Sequence, residues 1–220
     1  KTWWLQNAKW IPSETYTGDM SSGWTNTGTE GTDFTIDGTN NEIDLHNATN
    51  AKTVYFDLNS VQTMNTSKWL IRYALTITGT ASGATTRIWH GISDTGAVVS
   101  SSTSIDFAGF VNDTTSGQSN PRPHIVRCEN EELDSPTVET GTSGTLVSGT
   151  KYYYEISRDG SNFSVSVYTD SDYSTLIGVE RTKVFPNEEL RYFIFASYGN
   201  GGGVTGVLSD FKFYNGISEF

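Results

Sequence analysis

Apolar and polar residues alternate along this chain in short runs, and nowhere do apolar residues recur at helical spacing for three turns. The clearest run is KWLIRYALTIT: Trp69, Ile71, Tyr73, Leu75 and Ile77 line one face of a strand, and Arg72, Ala74, Thr76 and Thr78 the other. DFTIDGTNNEIDL predicts a hairpin turning around Asp37-Gly38 and Asn40, and KTVYFDL a short buried strand. GTASGA should turn the chain so that TTRIWHGISD runs back beside KWLIRYALTIT. STSIDFAGFVN and RPHIVRC are the next two candidates. Pro123 has no donor for a ladder, so the second should begin at an edge or in a loop. KYYYEISRDGSNFSVSVYT predicts a hairpin whose two-residue turn is Asp159-Gly160. Phe163, Val165 and Val167 alternate with Ser164, Ser166 and Tyr168, as in a strand with one wet face. ELRYFIFASY is apolar on both faces and should be central, and GVLSDFKFYNG closes the fold.

About ten to fourteen strands without helices leave two architectures, an immunoglobulin-like tandem or one large antiparallel sandwich. No Pro/Gly linker stands near the midpoint, which favours the single sandwich. The fold class is therefore all-β, an antiparallel two-sheet β-sandwich of jelly-roll type. Residues 1–17, with three Trp before any alternation, read as an N-terminal arm, and 18–220 as the sandwich domain. Between Glu129 and Thr150 the chain is acidic and turn-rich, an exposed excursion.

Charge narrows the partners. The 220 residues carry 14 Lys and Arg against 25 Asp and Glu, a net charge of −11. Such a surface repels phosphate backbones and anionic lipid, so nucleic acid and direct membrane insertion are excluded as partners. The acidic, hydroxyl-rich surface suits solubility outside the cell. The single Cys128 cannot form an internal disulfide and reads as a small buried thiol. No run is long enough to cross a bilayer and no signal peptide is present; the start at Lys1 is what a processed, mature protein would show. Sequons at Asn47, Asn65, Asn112 and Asn162 are consistent with extracellular life, although a chain rich in Thr and Ser yields several by chance.

GWTNTGT, TIDGTNNEIDLH, TVYFDL, SKWLIRYALTIT, HGISDTGA, KYYYEISRDGSNFSVSVYTDSDYSTLI and LSDFKFYNG resemble the strands and turns of concanavalin A-like, laminin-G-type jelly rolls of microbial and phage surface proteins. The resemblance spans about Gly23 to Gly216. It implies two curved antiparallel sheets with first and last strands close together. It also implies a role in glycan binding, adhesion or particle architecture; some relatives are glycosidases or lyases.

Glu42 and Asp44 lie two apart on one strand face, as in the catalytic strand of a retaining glycosidase. The resemblance implies a third acid in that branch, and its position here is Asn47, so these acids read as solvated. The resemblance implies a ligand on the concave sheet. Arg72, Arg87, Trp89, His90, Arg122, His124 and Arg127 are the candidates, with Trp to stack on a sugar and Arg or His to hydrogen-bond its hydroxyls. The alternative packs Trp89 in the core, satisfies His90 from the backbone and pairs the arginines with acids. Tyr152, Tyr153 and Tyr154 form a second aromatic cluster that reads as structural.

Ca²⁺ is implied in some members, and Asp94 and Asp210 are the loop carboxylates that match, or else turn formers. Zinc has no signature, no Ser-His-Asp order sits on a nucleophile elbow, and YGNGGGV is a turn rather than a phosphate cradle. Trp3, Trp4 and Trp10 either fold against their own domain or dock the arm on the sheet edge of a neighbouring copy. The sequence thus leads to an extracellular, non-enzymatic module that binds a glycan. A structural subunit of a filament, sheath or virion, assembled with other copies of itself, is the alternative, and a polysaccharide-degrading enzyme comes third.

Overall fold

The computed structural model describes residues 11–17, 20–46, 51–61, 63–79, 86–96, 105–114, 122–129, 132–134, 146–177, 181–184, 190–199 and 203–218. Fifteen strands lie among them: β1 (Ile11–Thr17), β2 (Trp24–Asn26), β3 (Phe34–Asp37), β4 (Glu42–Leu45), β5 (Lys52–Asp57), β6 (Lys68–Gly79), β7 (Thr86–Ser93), β8 (Phe107–Thr114), β9 (Arg122–Glu129), β10 (Glu132–Asp134), β11 (Lys151–Asp159), β12 (Asn162–Tyr168), β13 (Arg181–Val184), β14 (Tyr192–Gly199) and β15 (Val204–Ser218). They form an eight-stranded sheet, ordered β13-β12-β11-β6-β15-β4-β3 with β1 also on β15, and a seven-stranded sheet, ordered β10-β9-β8-β7-β14-β5-β2. Every strand pair is antiparallel. The all-β two-sheet sandwich is the architecture the alternation predicts.

Alternation decides which residues meet between the sheets. Trp69, Ile71, Tyr73, Leu75 and Ile77 of β6 enter one core with Tyr154 and Ile156 of β11, Phe193 and Phe195 of β14 and Phe211 and Phe213 of β15. Burying each large apolar side chain stabilises the fold by about 1.5–3 kcal/mol. β14 lies between β7 and β5, as its two apolar faces require.

Two expectations are corrected. β7 does not return beside β6: β6 pairs with β11 and β15, whereas β7 pairs with β8 and β14 in the opposite sheet. Turn residues signal a reversal but not which sheet the next strand joins. The β11–β12 turn is Gly160-Ser161, closed by the Asp159–Asn162 pair, and only Gly160 (φ 61°) of the two has positive φ. Ile11–Thr17, within the span read as the arm, pairs with β15 from Ser218 to Lys212. That pairing also brings the first described strand against the last.

One polar network sits inside the core. His90 is fully buried, with Nδ1 2.7 Å from the Tyr73 hydroxyl and Nε2 2.7 Å from Asn112 Nδ2. Asn112 Nδ2 also reaches the Tyr154 hydroxyl at 3.4 Å, and Asn112 Oδ1 has no partner. Turning the amide end for end would let its oxygen accept from both neighbours. In the orientation described the unmet Oδ1 costs about 1–3 kcal/mol. Tyr73 and Tyr154 stack at 5.4 Å and Phe110 stacks on His90 at 5.4 Å, so water is excluded. Desolvation lowers the His90 pKa to about 3 and raises those of both tyrosines.

His90 titrates near 6.5 in the unfolded chain and near 3 in the fold, so between those values the unfolded chain binds the extra proton. Stability should therefore fall as pH drops below 6.5, by at most about 1.4 kcal/mol per pH unit. Denaturant unfolding at pH 7 and pH 5, with NMR titration of the His90 ring, tests this; a ring that titrates near 6.5 in the folded protein refutes it. Gly91 and Gly109 oppose each other on β7 and β8, and a Cβ on Gly109 would lie 2.5 Å from the His90 carbonyl and 2.7 Å from Gly91 Cα. Gly109→Ala should cost about 1–3 kcal/mol in denaturant unfolding. Gly149→Ala, whose nearest neighbour is a Thr78 methyl at 3.5 Å, should cost only the ~1 kcal/mol of its positive φ.

Candidate functional site

The outer face of the seven-stranded sheet is assembled from alternate residues of its strands. Register places them in rows across the strands. Tyr198, Arg87, Asp113 and Arg122 form one row; Thr53, Ala196, Trp89, Val111 and His124 the next; then Tyr55, Ile194, Gly91, Gly109 and Val126; then Asp57, Tyr192, Ser93, Phe107 and Cys128.

A second apolar layer grows on this face. Trp89, Ile105, Phe107, Val111, Ile194 and Ala196 are buried together, with Tyr55, Tyr192 and Tyr198 half-buried around them. The Gly91–Gly109 pair leaves a notch that the Phe107 ring covers, within 3.0 Å of where either Cβ would stand. Trp89 meets Phe107 edge to face at 5.6 Å. Two described stretches border the connection after β7, 94–96 and 105–106. Its ends are latched by Asp94 N–H to the Asp106 carbonyl (3.0 Å) and Asp106 N–H to Asp94 Oδ1 (3.1 Å), and Gly96 lies against the Tyr55 ring.

Two buried polar atoms on this face lack a hydrogen-bond partner, Thr53 Oγ1 and Trp89 Nε1. They belong to one row, on either side of the small side chain of Ala196. Along β14 this row is flanked by Tyr198 on one side and, past Ile194, by Tyr192 on the other. Tyr192 meets Tyr55 edge to face at 5.7 Å and is capped by the Arg191 guanidinium at 4.9 Å. Arg191 is itself held by Asp57, whose carboxyl it keeps below the usual range.

The sequence candidates distribute over both sheets. Arg87, Trp89, Arg122 and His124 fall in two adjacent rows of this face. Trp89 is only 2% exposed, so it is part of the floor and not the open stacking ring expected. His90 alternates to the inner face, where side chains, not backbone, satisfy it. Arg127 pairs in register with Ala108, one position out of phase with His124. The side chains of Arg122, His124 and Arg127 lie outside the described residues.

Arg72 belongs to the other sheet. Its Nε and Nη2 pair with Glu155 Oε2 at 2.7 and 2.6 Å, and the Tyr173 ring covers it at 4.3 Å. This is the acid-paired alternative: Glu155 is 4% exposed and its charge is taken up locally. Tyr153 and Tyr168 meet Tyr173 edge to face there. Asp170 fixes the Tyr173 turn through the N–H groups of Asp172, Ser174 and Thr175, and the bonds from Ser174 and Thr175 lower its pKa to about 2. Glu42 and Asp44 sit half-buried on β4, also in the eight-stranded sheet.

The calcium pair does not assemble. Asp94 follows β7 in one sheet, while Asp210 stands at the β15 bulge in the other, with φ 56° and a 2.8 Å contact to Lys151. Asp94 is engaged in the latch, and desolvation together with nearby Asp106 raises its pKa. Among the described residues no three His, Cys, Asp or Glu side chains converge as metal ligands. These residues therefore do not fit a Ca²⁺ ion. Trp3, Trp4 and Trp10 lie outside the described residues. The sequence reading missed Thr53, Tyr55, Ala196 and Tyr198; period-two alternation in RYFIFASY places Tyr192, Ile194, Ala196 and Tyr198 on one face and was the available signal.

No family pattern and no curated protein matches the chain. Solved structures do. The VIP36 exoplasmic/lumenal domain, in its Ca²⁺/Man3GlcNAc-bound form, superposes with a TM-score of 0.56 at 12% identity, covering 96% of this chain and 92% of that one. The alginate lyase Aly36B, as a mutant in complex with alginate trisaccharide, gives 0.56 at 9% identity over 94% and 98%. A legume lectin-like domain from Entamoeba histolytica gives 0.52 at 9% identity over 93% and 98%. Likeness at such identities shows the fold alone. The antiparallel two-sheet sandwich built by these residues is the fold that these lectin and lyase structures share.

Proposed function

We propose that this protein is an extracellular, non-enzymatic module that binds carbohydrate along the outer face of its seven-stranded sheet. The observation that carries the reading is the set of half-buried tyrosines, Tyr55, Tyr192 and Tyr198, that frames a packed floor of Thr53, Ala196 and Trp89 on this face. Tyrosine rings offer apolar faces to pyranose C–H groups and a hydroxyl at the rim.

Superposing structures that hold mannose-type and alginate saccharides support carbohydrate as the ligand class. Binding without turnover is the simpler reading of the described face, which gathers Tyr, Trp, Thr and Arg, while Glu42 and Asp44 belong to the other sheet. No described helix is long and apolar enough to cross a membrane.

A glycan array followed by calorimetry tests the proposal. At least one oligosaccharide should bind, and Tyr198→Ala should weaken it about tenfold with the fold intact by circular dichroism. An array without retained carbohydrate, or undiminished binding by Tyr198→Ala, would refute it. Incubation with the bound polysaccharide should release neither reducing ends nor unsaturated sugars.

A further inference from the structure

One corner of the same face holds a guanidinium that is fixed in place and only partly used. The backbone of Arg191 is paired on both sides, its N–H with the Ser93 carbonyl at 2.8 Å and its carbonyl with the Leu58 N–H at 3.1 Å. Its side chain lies over the neighbouring Asp57–Tyr192 pair. Nε donates to Asp57 Oδ1 at 2.8 Å, Nη2 donates to Oδ2, and Cζ stands 4.9 Å from the centre of the Tyr192 ring. Asp57 is held in turn by the Asn59 N–H at 3.0 Å, and Tyr192 by the Tyr55 ring. Even so, 44% of the Arg191 side chain is exposed. The carboxylate takes two of the five N–H groups, and among the described residues no acceptor meets the other three.

Charge decides what those donors suit. Asp57 offsets the charge of Arg191, while Asp94, next along from Ser93, and Asp106, whose N–H it accepts, add two carboxylates to this corner. The Asp57–Tyr192–Ser93–Phe107–Cys128 row brings no Lys or Arg of its own. A carboxylate or sulfate arriving here meets net negative charge, whereas a pair of hydroxyls meets oriented donors.

We infer that this corner is a subsite for a neutral sugar residue, in which the Arg191 fork donates to two adjacent hydroxyls beside the Tyr192 ring and Asp57 is the positioning residue that holds the fork. The inference rests on the carbohydrate reading and deepens it, naming the ligand class and the donor. A guanidinium clamped by a carboxylate on one side and a ring beneath it loses little freedom on binding, and its planar fork reaches two neighbouring oxygens at once. A lysine ammonium in the same place is a point charge and cannot both span the Asp57 carboxylate and present a fork.

The test uses the whole chain with mannotetraose, cellotetraose, laminaritetraose and galactotetraose as neutral probes, and tetragalacturonate beside its methyl ester. At least one neutral tetraose should bind by calorimetry, and tetragalacturonate should bind no tighter than its ester. Arg191→Lys, which keeps the charge and loses the fork, should weaken the neutral probe about tenfold, and Asp57→Asn, which releases the fork, several-fold. Melting temperatures report the fold. The NMR resonance of the Arg191 Nε–H should shift as that probe is added to the unaltered protein, which a merely structural arginine would not show. Should the lysine variant melt early, this resonance decides. Arg191→Lys that folds and binds like the parent, an Arg191 resonance that stays put at saturation, or tighter binding of tetragalacturonate than of its ester would each overturn the inference; carbohydrate binding that Tyr198→Ala still weakens would survive it. Failure of every tetraose together with a blank glycan array would overturn both.

Discussion

Strand β14 has no wet face, and most of the structure follows from that constraint. Its even and odd side chains must both be buried: Phe193 and Phe195 go between the sheets, and Ile194 and Ala196 go to the outer face of their own sheet. One sandwich layer satisfies the first pair only. The second pair requires a covering, which Ile105 and the Phe107 ring over the glycine notch supply among the described residues. This face thus carries an apolar layer of its own where an ordinary antiparallel sandwich turns a polar one to water.

That extra layer bears on recognition. A face paved with buried Trp89, Phe107 and Ile194 is stiff, so the tyrosines at its margin are held by packing and not by loop conformation. Thr53 and Trp89 keep polar atoms in this dry setting without an internal partner, at a local cost to stability. The opposite sheet treats polarity differently. There Arg72, Glu155 and Tyr173 satisfy one another, and the surface is closed by its own side chains.

Alternation made the fold legible. The inward set of β6, the central place of β14 and the all-β class followed from period-two patterning, because side-chain direction in a strand is a local property. Sheet membership is not local. Nothing in GTASGA distinguishes a hairpin from a crossing between layers, so β7 was expected beside β6 and lies in the other sheet. The same limit governed the site. Arg87, Trp89, Arg122 and His124 share a face because β7, β8 and β9 are neighbours, whereas Arg72, equally plausible by residue type, falls on the far side. His90 shows a subtler limit. One residue out of phase with Trp89, it turns inward, and its partners Tyr73 and Asn112 come from strands 17 and 22 residues away.

Asn112 carries a last implication. It opens the sequon Asn112-Asp113-Thr114, yet its side chain is 1% exposed between His90 and Tyr154. An oligosaccharide attached there before the two layers close has nowhere to go, since the sandwich interior holds no volume for it. In a cell that decorates nascent chains at such triplets, maturation becomes a race between the transferase and the collapse of β8 onto β7, and the molecules that lose it are committed to misfolding by a covalent bond. The acceptor triplet that looks like a mark of export is, at this position, a hazard of it.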